Sequence, residues 1–350
     1  MPIPNDRAGG AYLRFLGACR AYWAEPLFQA LRREVDAAAA RNPALRVSGP
    51  AFDAFLAGLA THQYFGWFER HLQRMKYSGR WGIAATLEQR RASLLATLDA
   101  PLPEAMLMLD PDFEPPAYYR EFDIHQHPGG LDGDELAGFV YREAVGYGIV
   151  GKPQLHERFA TLAMRDRQAG RIADLGCGFG RAAFAFARAA PAASVDGIDA
   201  SAACLRLAAQ STPASLAPSI RFRQADAAAT GLPAASYDVV TSTMLLHEMP
   251  EDAVLRLIDE SARLLVPGGT AIHLDFIAPA DPLLRALFAG HARRNNEPFL
   301  LDHGGIDATA AYTRAGFRDV RIEDFAEEDG ALDDPARTWR LPWKVITARR

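Results

Sequence analysis

The sequence predicts an α/β protein, with a doubly wound parallel sheet in its C-terminal part and an α-helical domain before it. Two observations support this. Apolar residues recur at helical spacing through the first half, whereas short strand-like runs alternate with helices from about residue 155 onward. Aromatic residues are also uneven, with 20 in residues 1–150 and 14 in the remaining 200. Because repeated strand–helix units build parallel sheets, two differently built domains are expected within 350 residues.

The N-terminal half has the apolar spacing of helices. Leu27, Leu31 and Val35 recur every four residues, and Pro26 suits the first turn of such a helix. Ser48 is a plausible N-cap for a second helix, whose apolar face would be Phe52, Phe55, Leu56 and Leu59. Residues 109–116 are rich in Pro and Asp and predict a loop. The predicted organisation is therefore a helical domain over 1–115, a lid or linker over 116–154 and the sheet domain over 155–350.

The aromatic residues Tyr64, Phe65, Trp67 and Phe68 have two interpretations. They could form part of a helical core, or they could line a pocket for a flat or apolar molecule. The two readings are compatible, because small-molecule sites are often lined by apolar groups between domains.

Composition and charge exclude several classes of protein. Hydrophobic residues make up 49% and charged residues 23%, and the net charge is −5, which is ordinary for a globular chain. The absence of a long basic run argues against general binding to nucleic acid or anionic membranes. The sequence shows no signal peptide and no apolar stretch near the ~20 residues of a membrane helix. Three cysteines without CxxC spacing fit a reducing cytoplasm and no structural zinc, so a cytoplasmic location is expected.

The predicted strands of the C-terminal part follow one another at short intervals. Strand-like runs occupy residues 171–175, 193–199, 219–224, 237–243 and 270–276. Helices are predicted between them over residues 181–190, 202–209 and 251–265. This alternation predicts that the carboxyl ends of the strands form one edge, where open α/β sheets bind their ligands.

A glycine-rich loop closes the first of these strands, with the sequence Asp174-Leu-Gly176-Cys-Gly178-Phe-Gly180. Glycines allow a tight turn and let a ligand lie against the backbone. The dinucleotide fingerprint would need a glycine where this chain has Arg181, and the P-loop pattern is absent. The loop thus predicts a ligand site of another kind.

Two carboxylates follow at the ends of the next strands. Asp199 ends the second strand, where a carboxylate can accept hydrogen bonds from ribose hydroxyls, and Asp226 follows the third, where one could face an adenine amino group. Both lie on the same predicted edge as the glycine loop.

These motifs resemble those of class I S-adenosylmethionine-dependent methyltransferases, which have a Rossmann-like fold. The resemblance covers residues 155–350 and includes the glycine loop, the Gly-Ile-Asp199 strand end, Gln-Ala-Asp226, Ser-Tyr-Asp238-Val-Val and the Pro-Gly-Gly269 turn. Residues 315–322 and 339–349 resemble the closing hairpin of this family. The resemblance therefore implies a mostly parallel sheet whose last strand is antiparallel.

The same resemblance implies S-adenosyl-L-methionine as cofactor and S-adenosyl-L-homocysteine as product. Asp174 and Gly176 would border the methionine part, and Gly178 and Gly180 would admit the adenosyl group. Asp199 would hold the ribose. The remaining implied cofactor contacts are Asp226 and Ala227 at the adenine, Thr243 after the fourth strand, and Tyr119 from a segment that folds over the cofactor.

His247 and Glu248 are the predicted catalytic pair, since they follow the fourth strand where the reactive cleft should lie. An imidazole with an ordinary pKa of about 6.5 suits a general base, and Glu248 could orient it or bind substrate. A structural role for His247 beneath the cofactor is the alternative. The Asn/Asp-Pro-Pro-Tyr motif used for amino groups of bases is missing, which argues against nucleic-acid acceptors.

The segment around Asp123, His125 and His127 is a second candidate. If it is extended, the three side chains face one side and could hold a metal. A lid role with substrate contacts through His125 and His127 is favoured, and no metal is expected. His273 and Asp275 are interpreted as structural or cleft-lining residues.

The leading hypothesis is a methyltransferase for a small aromatic or hydrophobic metabolite, methylated on oxygen, nitrogen or carbon, as in secondary metabolism. A protein or carrier-tethered acceptor, or a cofactor-binding subunit without activity, are the alternatives. The aromatic N-terminal helices could also bury the face of a homodimer.

Overall fold

A single sheet organises the C-terminal part of the chain, and its strand order is β1-β4-β3-β2-β5-β6-β8-β7. The computed structural model describes residues 7–147, 154–303, 305–334 and 337–350. Within these residues the strands are β1 (Leu107–Met108), β2 (Arg171–Leu175), β3 (Ser194–Asp199), β4 (Ile220–Gln224), β5 (Tyr237–Thr243), β6 (Leu265–Phe276), β7 (Arg318–Asp324) and β8 (Trp343–Arg349).

Strand directions confirm the predicted fold class. β1 to β6 pair in parallel, and β8 runs antiparallel between β6 and β7. The strand order reverses at β2, with β3 on one side and β5 on the other. This is the switch point at which doubly wound sheets open a crevice at the carboxyl ends of their strands.

Helices form the N-terminal part and cover the sheet. Those before the sheet's long strands are α1 (Arg7–Tyr22), α2 (Phe28–Arg41), α3 (Pro50–Gly58), α4 (Ala60–Tyr77), α5 (Ile83–Glu88), α6 (Arg91–Leu98), α7 (Ala117–Glu121), α8 (Ala137–Tyr147) and α9 (Leu155–Met164). Those after β2 are α10 (Arg181–Ala189), α11 (Ala202–Ser211), α12 (Glu251–Leu264), α13 (Pro282–Asn295), α14 (Leu300–His303) and α15 (Ala308–Arg314).

Two local predictions were wrong. Pro26 does not open a helix, because it lies in a π-helical turn, Trp23–Leu27, that joins α1 to α2 without a break. A proline ring removes one backbone donor, and the wider turn accommodates that loss inside a continuous helix. The segment before the predicted loop was also not predicted to be a strand, yet β1 extends the sheet beside β4. A two-residue strand has too little sequence pattern to be seen.

The N-terminal helices pack around buried aromatic rings. Trp23 and Phe65 lie with ring centroids 4.8 Å apart, and the Trp23 indole donates to the Phe65 carbonyl at 3.1 Å. Phe65 also meets Trp339 edge to face, which ties the helices to the end of the chain. Burying such rings contributes about 2–3 kcal/mol each. Of the aromatic run 64–68, Phe65 is core, whereas Tyr64 and Trp67 are exposed.

No helix among the described residues is both long and apolar enough to span a membrane.

Candidate active site

The loop between β2 and α10 has a backbone that only glycine adopts readily. Gly176, Gly178 and Gly180 have φ of +67°, +52° and +89°. A Cβ atom on Gly176 would also lie 2.7 Å from a methyl carbon of Leu245. Both the positive φ angles and the contact with Leu245 disfavour a side chain in this turn. The loop therefore presents backbone to a ligand in the crevice.

Asp199, at the end of β3, organises this loop. Its Oδ2 accepts a hydrogen bond from the Gly178 N–H at 2.7 Å, and its Oδ1 accepts one from the Ser201 N–H at 2.8 Å. Burial raises the pKa of Asp199 to about 6. Each carboxylate oxygen can accept a second hydrogen bond, so capacity for ligand hydroxyls remains.

Asp174 is a buried carboxylate without a partner. Its side chain is 0% exposed, and neither oxygen accepts a hydrogen bond from any described residue. Burial and the charge of Asp199 raise the pKa of Asp174 to about 8. The hydroxyl of Thr243, at the end of β5, is likewise buried and unpaired within the described part of the chain. Orphaned polar atoms at the end of a sheet indicate a site for a ligand that supplies the missing partners.

The other predicted cofactor residues lie along the same edge. Asp226 follows β4, and its Oδ1 accepts the Ala228 N–H at 2.8 Å, while the neighbouring Ala227 is buried. The Tyr119 hydroxyl is buried, and burial together with the charge of Asp199 raises its pKa. The structure thus brings the predicted residues together at the ends of β2 to β5.

Tyr141 is a residue of this region that sequence analysis missed. It lies on α8, and its ring is 3.4 Å from the position of a Cβ on Gly178. It packs edge to face on Phe179, with ring centroids 5.4 Å apart. Tyr141 lies within the predicted lid segment, 116–154, as does Tyr119, which the sequence analysis assigned to the cofactor. A small pocket of about 370 Å³ lies between Tyr141 and the glycine loop.

A larger cavity, with about 640 Å³ of empty space when its open mouth is included, adjoins this pocket, and both have Tyr141, Val145 and Met244 in their walls. Its apolar lining includes Tyr77, Phe276 and Leu341. Its polar lining includes Lys76, His125, His247, Glu248, His291 and Glu297. These side chains come from α4, α13 and the loops after β5 and α7, so the cavity is a product of tertiary packing.

His247 and Asp275 form a buried pair in the wall of the cavity. The His247 Nδ1 lies 2.6 Å from Asp275 Oδ1. Asp275 also accepts the backbone N–H groups of Leu246 and Phe276, at 2.7 and 2.8 Å. A carboxylate can only accept here, so Nδ1 is the donor, and neutral His247 keeps its lone pair on Nε2. Although burial opposes the charged form, Asp275 raises the pKa of His247.

The residue that orients His247 is therefore Asp275. The sequence analysis had offered Glu248 for this role, or for binding substrate. The Glu248 carboxylate is 3.9 Å from His247 Nε2. The register of β6 beside β5 places Asp275 one residue beyond the Thr243–Leu274 pair, directly under the loop that carries His247. His273 has a structural role, because its Nδ1 is bonded to Ser242 Oγ at 2.7 Å and burial lowers its pKa to about 4.

His125 links Glu248 to a second carboxylate. Its Nε2 is 2.7 Å from Glu248, and its Nδ1 is 2.9 Å from Glu297. Although burial opposes the charge, Glu297 and Glu248 raise the pKa of His125 to about 10. A doubly donating imidazolium between two carboxylates accounts for both contacts.

The chain of charges continues behind Glu297. His291 Nε2 is 3.4 Å from Glu297, and His291 Nδ1 is 2.5 Å from Glu69, which also pairs with Arg294. Burial opposes the charge of His291, but Glu297 and Glu69 raise its pKa to about 9. The cavity is thus backed by an alternating row of carboxylates and imidazoles, which we call the ionic row: Asp275, His247, Glu248, His125, Glu297, His291 and Glu69.

The segment of Asp123, His125 and His127 is not extended, so the condition under which the three side chains would face one side is not met. Residues Ile124–Gln126 form a 3₁₀ turn, and His125 has a φ of +57°, which turns its ring into the cavity. His127 is buried outside the cavity lining, has no hydrogen bond to a described residue, and burial lowers its pKa to about 4. No cluster of three metal-ligating side chains occurs in residues 7–147, 154–303, 305–334 and 337–350.

A parallel sheet with a glycine loop at its switch point is typical of α/β proteins that bind a nucleoside-containing cofactor there. Comparison with known proteins narrows this class. Residues 172–269 match the model of a methyltransferase domain family. The chain is 29% identical over 128 residues to an uncharacterized methyltransferase, YcgJ, of Bacillus subtilis, which covers 37% of this chain and 49% of that protein.

A second relative is the ubiquinone/menaquinone biosynthesis C-methyltransferase UbiE of Syntrophotalea carbinolica, 33% identical over 144 residues, or 40% of this chain and 59% of that protein. Among solved structures, phosphoethanolamine N-methyltransferase 2 of Haemonchus contortus, in complex with S-adenosyl-L-methionine, aligns with a TM-score of 0.43 at 16% identity over 60% of this chain and 59% of that one. The chain spans about half the length of the curated relatives it matches.

Residues 172–269 are therefore similar to a methyltransferase domain, in agreement with the resemblance that the glycine loop and its carboxylates carry.

Proposed function

We propose that this protein transfers a methyl group to an oxygen, nitrogen or carbon atom of a small aromatic or hydrophobic metabolite bound in the 640 Å³ cavity. One observation carries the proposal: the cavity that holds His247 shares a wall with the pocket at the glycine loop. Methyl transfer needs donor and acceptor in line and in contact, so two adjoining compartments suit it. An apolar lining with few polar groups suits a small organic acceptor.

The residues at the strand ends fit the cofactor. S-adenosylmethionine, when bound, supplies an electrophilic methyl group on a sulfonium sulfur. Asp199 would accept the ribose hydroxyls, Asp226 and Ala227 would meet the adenine, and the unpaired Asp174 would receive a donor from the methionine part. Thr243 and Tyr119 bring buried hydroxyls to the same edge. The positive φ angles of the loop glycines let the backbone turn at this edge.

His247 would act as the general base. Asp275 holds Nδ1–H, so Nε2 is the atom that would take a proton from an acceptor hydroxyl or amine. The carboxylate of Asp275 stabilises the imidazolium that results. Glu248, held by His125, would bind or align the acceptor next to it.

Labelled S-adenosylmethionine, incubated with the purified protein and an extract of the source organism, tests the proposal. We expect label in the organic-soluble fraction, and its loss when His247→Ala replaces the wild type. Label in the protein fraction instead would establish a polypeptide or carrier-tethered acceptor. Cofactor binding without label in any fraction would contradict an enzymatic role and favour a cofactor-binding subunit.

The domain limits at 115 and 154, the cytoplasmic location and a homodimer through the N-terminal helices stay predictions. Size-exclusion chromatography with light scattering tests the dimer directly.

A further inference from the structure

Lys76 is a buried cation. Among the described residues, the carboxylate whose charge acts on it is Glu297, which already contacts His125 and His291. Lys76 lies in the last turn of α4, is 6% exposed and lines the cavity. Its ammonium is 4.6 Å from the centroid of the Tyr77 ring. No carboxylate of a described residue lies within 4.0 Å of its Nζ, although ion pairs are abundant elsewhere in the fold.

The contacts of the ionic row do not include Lys76. Each carboxylate of the row has another partner within ion-pair distance, in the pairs Glu69 with Arg294, Glu297 with His291, Glu248 with His125, and Asp275 with His247. Glu297, the carboxylate that acts on Lys76, is also 2.9 Å from His125, so its one charge is already shared by two imidazoles. Lys76 therefore lines the cavity without a carboxylate of a described residue in direct contact.

An ammonium buried without its own counter-ion is costly by several kcal/mol. Burial outweighs the attraction of Glu297 and lowers the pKa of Lys76 to about 7. The group can thus shed its charge in the empty cavity and regain it beside an anion. The rest of the lining favours a flat apolar body, because Tyr77, Tyr141 and Phe276 present aromatic rings.

We propose that Lys76 is a specificity-determining residue of this cavity, and that its ammonium binds a carboxylate on a planar, apolar acceptor. The inference rests on the proposed function, since it names the class of acceptor for the same cavity. The carboxylate supplies the counter-ion that the fold withholds, while the ring occupies the aromatic walls and presents its nucleophilic atom to His247.

Calorimetric titration with benzoate and with benzamide tests the inference, using the full chain saturated with S-adenosylhomocysteine. The two probes share a ring and differ in charge. We expect the wild type to bind benzoate at least about tenfold more tightly than benzamide. Lys76→Met, which keeps an unbranched apolar side chain without the ammonium, should lose this preference and bind benzamide as before. Lys344→Met is the matched control, because Lys344 pairs with Asp324 at the surface, and it should keep the preference.

Equal binding of the two probes to the wild type, a preference that survives in Lys76→Met, or binding of neither probe would each overturn the inference. A second readout needs no variant. Because burial lowers the pKa of Lys76 to about 7, benzoate binding near neutral pH should be accompanied by proton uptake, measured in buffers of different ionisation enthalpy. Benzoate binding without proton uptake would also count against it.

A different experiment tests the proposed function. Absence of S-adenosylhomocysteine binding, or of methyl label in every fraction, would contradict methyl transfer whatever the benzoate result. Label transfer to an acceptor without an acidic group would leave methyl transfer intact and remove the role of Lys76.

Discussion

The glycine-loop edge and the acceptor cavity lie side by side at the carboxyl ends of the strands, but they hold their charges differently. At the edge, Asp174 is buried with no hydrogen bond to a described residue, and Asp199 holds only backbone N–H groups. In the cavity, each carboxylate of the ionic row has a basic side chain within ion-pair distance. The glycine-loop edge thus has polar groups that lack hydrogen-bond partners among the described residues and could receive them from a ligand. In the cavity the charged side chains contact one another, with the exception of Lys76.

This difference shows where each kind of substitution should act. Groups left incomplete contribute to binding once the ligand arrives, because their desolvation has already been incurred in folding. Groups paired inside the fold contribute to stability, since removing one partner strands the other in a medium of low dielectric constant. His247 is the exception within the cavity, because under the proposed function its Nε2 accepts a proton from the acceptor molecule.

His247→Ala should have the largest effect. Loss of a general base lowers kcat by about 10²–10⁴-fold, while the Kd for S-adenosylmethionine should change by less than about threefold, because His247 lies in the acceptor wall. Single-turnover methylation and calorimetry measure the two quantities. His71→Ala, which removes an imidazole stacked on the exposed Trp67, is the control and should leave both unchanged. An unaltered kcat in His247→Ala would assign the residue a structural role.

Glu297→Gln should lower the free energy of unfolding by about 3–5 kcal/mol, because it leaves two buried imidazoliums with one carboxylate each. Urea denaturation measures the change. Glu104→Gln, at an exposed position, should remain within about 0.5 kcal/mol of the wild type. Similar stability of the two variants would show that the ionic row is not charged as described.

The pH dependence of stability sharpens the same point. The pKa of Glu297 is lowered when folded, so its stabilisation is present above its ordinary pKa of 4.5 and is lost as the pH falls below that. Although burial opposes it, Glu297 raises the pKa of His125 to about 10 and that of His291 to about 9, so their stabilisation is complete below 6.5 and is lost as the pH rises through 9–10. Wild-type stability should therefore be highest near pH 5–6.5, and Glu297→Gln should flatten the curve.

Asp199→Asn should weaken S-adenosylmethionine binding by about 10–100-fold, because hydrogen bonds to a charged acceptor contribute about 1.5–3 kcal/mol. Its free energy of unfolding should change less than that of Glu297→Gln, since Asp199 is costly to bury and has a raised pKa. Calorimetry and urea denaturation separate the two effects. Asp53→Asn, on the exposed side of α3, is the control. A larger loss of stability than of affinity would reverse the contrast between edge and cavity.

Asp275→Asn should shift the acid limb of the kcat profile to lower pH. The reason is that the Asp275 charge raises the pKa of His247 despite burial, and the active base is the deprotonated form. The kcat profile between pH 5 and 9 measures it. A profile that keeps its acid limb in this variant would mean that another group controls the titration.

Much of the cofactor edge could be predicted from the sequence because its residues are local. The glycines with positive φ lie at alternate positions of one loop, and each strand brings its own terminal carboxylate to a shared edge. Parallel β–α units carry such residues to the same place whatever packs around them. The choice of Tyr119 as the lid tyrosine overlooked Tyr141 because both lie in one segment, and only packing shows that Tyr141 is the ring that faces Gly178.

The sequence alone thus predicted the class of fold, the glycine loop with its carboxylates, and the position of His247 after the fourth strand of the C-terminal part. Tertiary structure decided what surrounds His247: Asp275 as its partner, His125 turned inward by a 3₁₀ segment, and Lys76 from α4 and Glu297 from the segment after α13, about 220 residues apart in the chain. The physical reason is that backbone conformation and strand periodicity are written in neighbouring residues, whereas a buried ion pair depends on which distant helices pack together and on how much water they exclude.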